Sequence, residues 1–178
     1  MIGRTIAVLA MLIVTPAFFK AQATDLPARP CATAEYRQFD FWVGSWDVYP
    51  TGGSELVAHS LIESVYNGCG VRENWMPLKV ENSGGSLNIY VPAESGWRQT
   101  WIDSSGAHVD FKGGLVGRAM VLQGFWRDFV APGKGALVRM TYSQGSDRSV
   151  RQLGEASEDN GKSWHSSFDF TYRPAKHS

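Results

Sequence analysis

Cysteine is scarce in this chain of 178 residues, with two, Cys31 and Cys69. They form no C-x-x-C, so a thiol redox motif is excluded. Histidine is nearly as sparse. The four residues His59, His108, His165 and His177 stand at no metal-ligand spacing from one another, from a cysteine or from a carboxylate, and no metal site follows. Excess charge of either sign is missing, since 17 Lys and Arg balance 17 Asp and Glu. Without a basic stripe, nucleic acid and anionic membrane surfaces are poor partners. There is no G-x-S-x-G elbow and no Ser-His-Asp order. Gly113-Gly114 and Gly117 form no phosphate loop, because no helix follows them. Nothing calls for a cofactor. The apolar run from Ile6 to Val14 is too short to span a bilayer.

That run has a different meaning. Arg4 precedes it and Ala21-Gln22-Ala23 follows it, the arrangement of a secretory signal peptide over 1–23. Cleavage after Ala23 predicts an exported protein, periplasmic or extracellular. The mature chain has about 155 residues, enough for one domain with a substantial core. Losing Arg4 and Lys20 leaves a formal charge of about −2. In an oxidising compartment two cysteines pair, so Cys31 and Cys69 are expected to form a disulfide. Closing that loop contributes roughly 2–4 kcal/mol.

Residues 24–38 read as an N-terminal arm, with one or two helical turns over 32–41 that point Tyr36, Phe39 and Phe41 inward. From residue 39 to 175 the chain reads as a single β domain. Clusters of Gly, Pro, Asn, Asp and Ser separate ten strands, at 45–49, 55–66, 70–76, 85–91, 97–103, 108–112, 115–126, 136–143, 149–157 and 164–173. No stretch beyond Phe41 sustains a helical period, so the domain is antiparallel and all-β. A sandwich is the competing architecture. An up-and-down barrel removes the sheet edges that a sandwich must protect, and is preferred.

The segment Phe39-Asp40-Phe41-Trp42-Val43-Gly44-Ser45-Trp46 ends in Gly-x-Trp, and Arg173 closes the last strand. Gly-x-Trp with a late Arg resembles the calycins, the lipocalins and their relatives, over roughly 39–173. That resemblance implies a closed barrel in which Arg173 stacks on Trp46 inside one end, leaving Gly44, Trp46 and Arg173 as structural residues. The longer motif is similar to a group of secreted bacterial proteins of unknown function that begin Phe-Asp-Phe-Trp-x-Gly-x-Trp. Ten strands also resemble the fatty-acid-binding and nitrobindin-like barrels. Nitrobindins hold haem through a last-strand His, whose position falls on Asp169, so the resemblance argues against haem bound in that way.

Strand alternation then assigns faces. With Arg173 inward, Thr171, Asp169, Ser167 and His165 face inward with it. Three mixed stripes are expected to line the same space: Glu73 and Trp75; Ser86, Asn88 and Tyr90; Trp97, Gln99 and Trp101. Aromatic faces with a few amides and hydroxyls are the usual lining of a small-molecule pocket. The expected ligand-binding set is therefore Glu73, Trp75, Asn88, Tyr90, Trp97, Gln99, Trp101, His165 and Asp169, around a small, partly apolar molecule. Two alternatives stay open. One is an enzyme of cyclase or isomerase type, with His165, Asp169 and Glu73 as acid and base. The other is an interaction protein in which Leu87, Ile89 and Val91, facing outward, form a homodimer face. Ser157-Glu158-Asp159-Asn160-Gly161-Lys162-Ser163-Trp164 fits the Asp-box pattern. A single copy reads as a hairpin device, in which Asp159 ties the turn backbone.

Overall fold

A computed structural model describes residues 29–176; the signal peptide expected at 1–23, the first part of the arm and His177 lie outside the described residues. Ten antiparallel strands form one closed barrel. They are β1 (Gly44–Pro50), β2 (Ala58–Val65), β3 (Gly70–Pro77), β4 (Gly84–Val91), β5 (Gly96–Asp103), β6 (His108–Val116), β7 (Ala119–Ala131), β8 (Lys134–Gln144), β9 (Val150–Ser157) and β10 (His165–Pro174). Each strand pairs with its neighbours in sequence, and β1 closes on β10 with Trp46 opposite Pro174 and Val48 opposite Tyr172. Among the described residues no helix is long and apolar enough to cross a membrane.

One end of the barrel is plugged. Two 3-10 turns, Ala34–Arg37 and Asp40–Trp42, carry Phe39 and Trp42 under the strands, where both are fully buried. Their rings stack at 4.9 Å, and Phe39 sets an edge against Trp97 at 5.7 Å and Tyr142 at 5.1 Å. The Trp46 indole N–H donates to the Trp42 carbonyl at 2.8 Å, and the Trp97 indole N–H donates to Gln38 Oε1 at 3.0 Å. These two indole N–H groups are thereby satisfied. The Cys31–Cys69 disulfide and a hydrogen bond from the Arg37 guanidinium to the Gly68 carbonyl fasten this plug to the β2–β3 turn. Gly44 sits at φ 156°, and a Cβ there would approach the Trp46 indole to 3.3 Å. This is the physical content of Gly-x-Trp: the chain swings tightly past its own anchor.

The late arginine does something else. Arg173 is exposed on the outer wall, 4.5 Å above the Tyr49 ring, and does not reach Trp46. The barrel closes, but not through an internal Trp–Arg stack. Its parity moves the whole of β10: Phe168, Phe170 and Tyr172 face the interior, and Asp169 and Thr171 face out. Between Ser166 and Phe168 the register shifts, and the extra residue of a bulge reverses which side chains point in. His165, beyond the bulge at the open end, is therefore not on the face of Asp169.

Two expected turns are strand instead. β6 continues through Gly113-Gly114 to Val116, because Gly113 makes room for the neighbouring strand, where a Cβ would overlap the Val121 carbonyl oxygen. β7 and β8 extend through most of 128–135, with a register break after Trp126. The Asp box is the β9–β10 hairpin. Asp159 Oδ1 accepts from the Lys162 and Ser163 amides at 3.0 and 2.9 Å, Gly161 takes φ 86°, and the Trp164 indole lies under the Arg139 guanidinium at 4.2 Å. Leu87 and Ile89 face outward and are 45% and 43% exposed, flanked by the Arg72–Glu63 and Arg98–Glu94 ion pairs.

Candidate functional site

Above the plug the barrel holds a chamber of about 250 Å³. Alternation on seven strands brings its lining together. β3 supplies Glu73 and Trp75, β5 Gln99 and Trp101, β8 Met140 and Tyr142, β9 Gln152, and β10 Phe168, Phe170 and Tyr172, while Phe111 and Trp126 complete the wall from β6 and β7. The aromatic groups concentrate toward the open end. Phe170 packs on Trp75 at 5.7 Å and on Phe168 at 5.7 Å, and Trp126 lies tilted against Phe129 at 5.2 Å. Gly154 lies beneath the Phe168 ring, which a Cβ would overlap. The absence of a side chain there lets the ring lie flat on β9.

Deeper in, the lining turns polar, and its groups form one hydrogen-bonded belt. Ser60 and Ser86 hydroxyls donate to the two oxygens of Glu73 at 3.2 and 3.1 Å. The Asn88 amide donates to Ser86 Oγ at 3.1 Å and to the Val71 carbonyl at 2.9 Å. Gln99 Nε2 donates to Asn88 Oδ1 at 2.7 Å. Across the barrel, the Tyr172 hydroxyl donates to Gln152 Oε1 at 2.6 Å, and Gln152 Nε2 donates to the Tyr142 oxygen at 3.0 Å. Buried polar groups in low dielectric hold their geometry when every member has a partner, so the belt presents fixed donors and acceptors to whatever fills the chamber.

Among the described residues, Glu73 is the one carboxylate of the chamber wall. It is 5% exposed, and burial raises its carboxyl to about 7, against the opposing pull of the Ser86 and Ser60 hydrogen bonds. The phenols of Tyr142 and Tyr172 are raised as well, first by burial and then by the Glu73 charge, so both stay neutral donors.

Of the nine residues read from sequence as ligand-binding, Glu73, Trp75, Gln99 and Trp101 line the chamber. Asn88 stands behind them in the belt. Tyr90 and Trp97 face inward at the plugged end, Tyr90 against Tyr36 at 5.4 Å and Trp97 under Phe39. Asp169 faces outward in a two-bond pair with Arg151 at 2.8 and 2.6 Å, which lowers its pKa. His165 is exposed. The acid–base trio of Glu73, His165 and Asp169 is therefore not assembled. No haem ligand faces inward at Asp169 either. Tyr142, Gln152, Tyr172, Phe111, Trp126, Met140, Phe168 and Phe170 also line the chamber and lie outside the set expected from sequence. The alternation of Met140 and Tyr142 on β8 and the inward Gln152 on β9 carry a signal for these three. An inward Arg173 turns Phe168, Phe170 and Tyr172 outward, which hides them from a sequence reading.

A closed ten-strand antiparallel barrel with an internal chamber is consistent with a calycin-like fold. No protein-family model matches the chain, and no curated protein matches it by sequence.

Proposed function

We propose that the chain is an exported binding protein whose barrel chamber takes a small, largely apolar molecule. The observation that carries this reading is the chamber itself: an aromatic mouth above a fully hydrogen-bonded polar belt, on a plugged barrel. A core built only for stability gains from filling such a space, since each lining group loses dispersion contacts across a void. Polar groups aimed into it fix a ligand's orientation, and aromatic walls supply most of the contact. Export is supported by the 1–23 segment and by the Cys31–Cys69 disulfide, which an oxidising compartment maintains. The test is native mass spectrometry of the mature protein purified from its own periplasm, alongside quenching of tryptophan fluorescence by lipids, phenols and pigments. A retained small-molecule mass, or saturable quenching that is lost in Trp101→Ala, is expected. The bare chain mass together with no quenching by any compound refutes the reading.

A further inference from the structure

We propose that the chamber selects a singly cationic ligand, an amine with an aromatic or otherwise flat apolar body, whose ammonium group faces Glu73. The inference rests on the binding reading above and specifies its ligand class.

Glu73 lacks what normally accompanies a buried carboxylate. Its partners are neutral hydroxyls, those of Ser60 and Ser86, with the neutral Tyr172 phenol beside them. Among the described residues, no Lys, Arg or His lines the chamber. On the outer wall beside the chamber, Arg72 is paired with Glu63 and Arg151 with Asp169. A glutamine would make hydrogen bonds with the same hydroxyls without the desolvation penalty of a carboxylate. A lone buried acid in a cavity is therefore explained by a ligand that supplies the counter-charge. The walls agree in sign. Trp75, Trp101 and Trp126 line the chamber with Phe168 and Phe170, and aromatic faces attract cations most strongly when these are desolvated. A ligand carboxylate would meet Glu73 with no cation to offset the repulsion.

The titratable groups facing Glu73 are the Tyr172 phenol from β10 and, across the chamber, the Tyr142 phenol from β8. Ser60 from β2 and Ser86 and Asn88 from β4 do not titrate, nor do Gln99 and Gln152. Both phenols stay neutral, so the ionisation of Glu73 alone governs the pH dependence of amine binding over the neutral range. The ion pair needs the deprotonated acid. Binding therefore strengthens as pH rises toward 8 and weakens as Glu73 protonates below about 7.

Three probes of matched size test this by titration calorimetry on the mature chain: phenethylamine, 2-phenylethanol and phenylacetate. Wild-type protein is expected to bind the amine about tenfold or more tighter than the alcohol at pH 8, and to bind phenylacetate most weakly. Amine binding should weaken about tenfold by pH 6, with alcohol binding unchanged. Glu73→Gln should bring amine affinity down to the alcohol affinity of the same variant. The wild-type pH profile stands by itself if that variant does not fold. Equal binding of amine and alcohol, or preference for phenylacetate, overturns the inference and leaves the binding reading intact. If none of the three binds, the inference fails, and native mass spectrometry decides whether the binding reading fails with it.

Discussion

Replacing Glu73 by glutamine perturbs one buried charge and little else, so its effect on stability can be worked from the structure. The folded protein holds the Glu73 proton up to about pH 7, whereas the ordinary carboxyl value is 4.5. Between those values the folded state binds a proton that the unfolded chain has released. Stability therefore falls as pH rises through that window and levels off above about 7. At 1.36 kcal/mol per pKa unit, the whole effect is about 3 kcal/mol, most of which falls between pH 5 and pH 8. A small domain has roughly 5–15 kcal/mol in total, so the change is measurable. Glu73→Gln removes it. Urea unfolding followed by tryptophan fluorescence at several pH values, in both proteins, isolates the difference, because every other titrating group is common to the two. The variant should gain about 2–3 kcal/mol on wild type from pH 5 to pH 8. Parallel pH profiles would refute the reasoning, since they would mean that Glu73 ionises as freely in the folded chain as in the unfolded one.

Three other expectations follow from the packing. Trp46→Ala should cost about 3–5 kcal/mol in urea unfolding, as a large side chain leaves the core. Arg173→Ala, on the outer wall over Tyr49, should cost no more than about 1 kcal/mol; similar losses at the two positions would contradict the outward placement of Arg173. Cys31→Ser should lose roughly 2–4 kcal/mol, and reductant should bring wild type to the same midpoint; a variant insensitive to both changes would show that the plug is held without the disulfide. Gly154→Ala should displace the Phe168 ring, destabilise the barrel by about 1–3 kcal/mol and weaken any quenching by chamber ligands, whereas Gly106→Ala, at an exposed hairpin tip, should leave quenching untouched.

The amino-acid sequence by itself determined the class of fold and most of the element order. Ten runs of β-forming residues broken by turn residues, with no helical period after Phe41, admit little else. The two cysteines named their own pairing, and the Asp box named its hairpin. The mixed stripes on β3, β4 and β5 were legible because a carboxylate, amides and indoles alternate there with residues suited to solvent or to the outer wall. What alternation cannot supply is the absolute sense of a strand's faces. On β10 both stripes are mixed, Asp169, Thr171 and Arg173 against Phe168, Phe170 and Tyr172, so a motif-based anchor chose the wrong one. The bulge at Ser166–Phe168 then uncoupled His165 from the rest of the strand. Only closure of the barrel set Trp126, Tyr142, Gln152 and Tyr172 around Glu73, joining residues far apart in the chain. Closure also created the low dielectric that raises the Glu73 carboxyl toward neutrality, because desolvation depends on what surrounds a group in space and not on its neighbours in sequence.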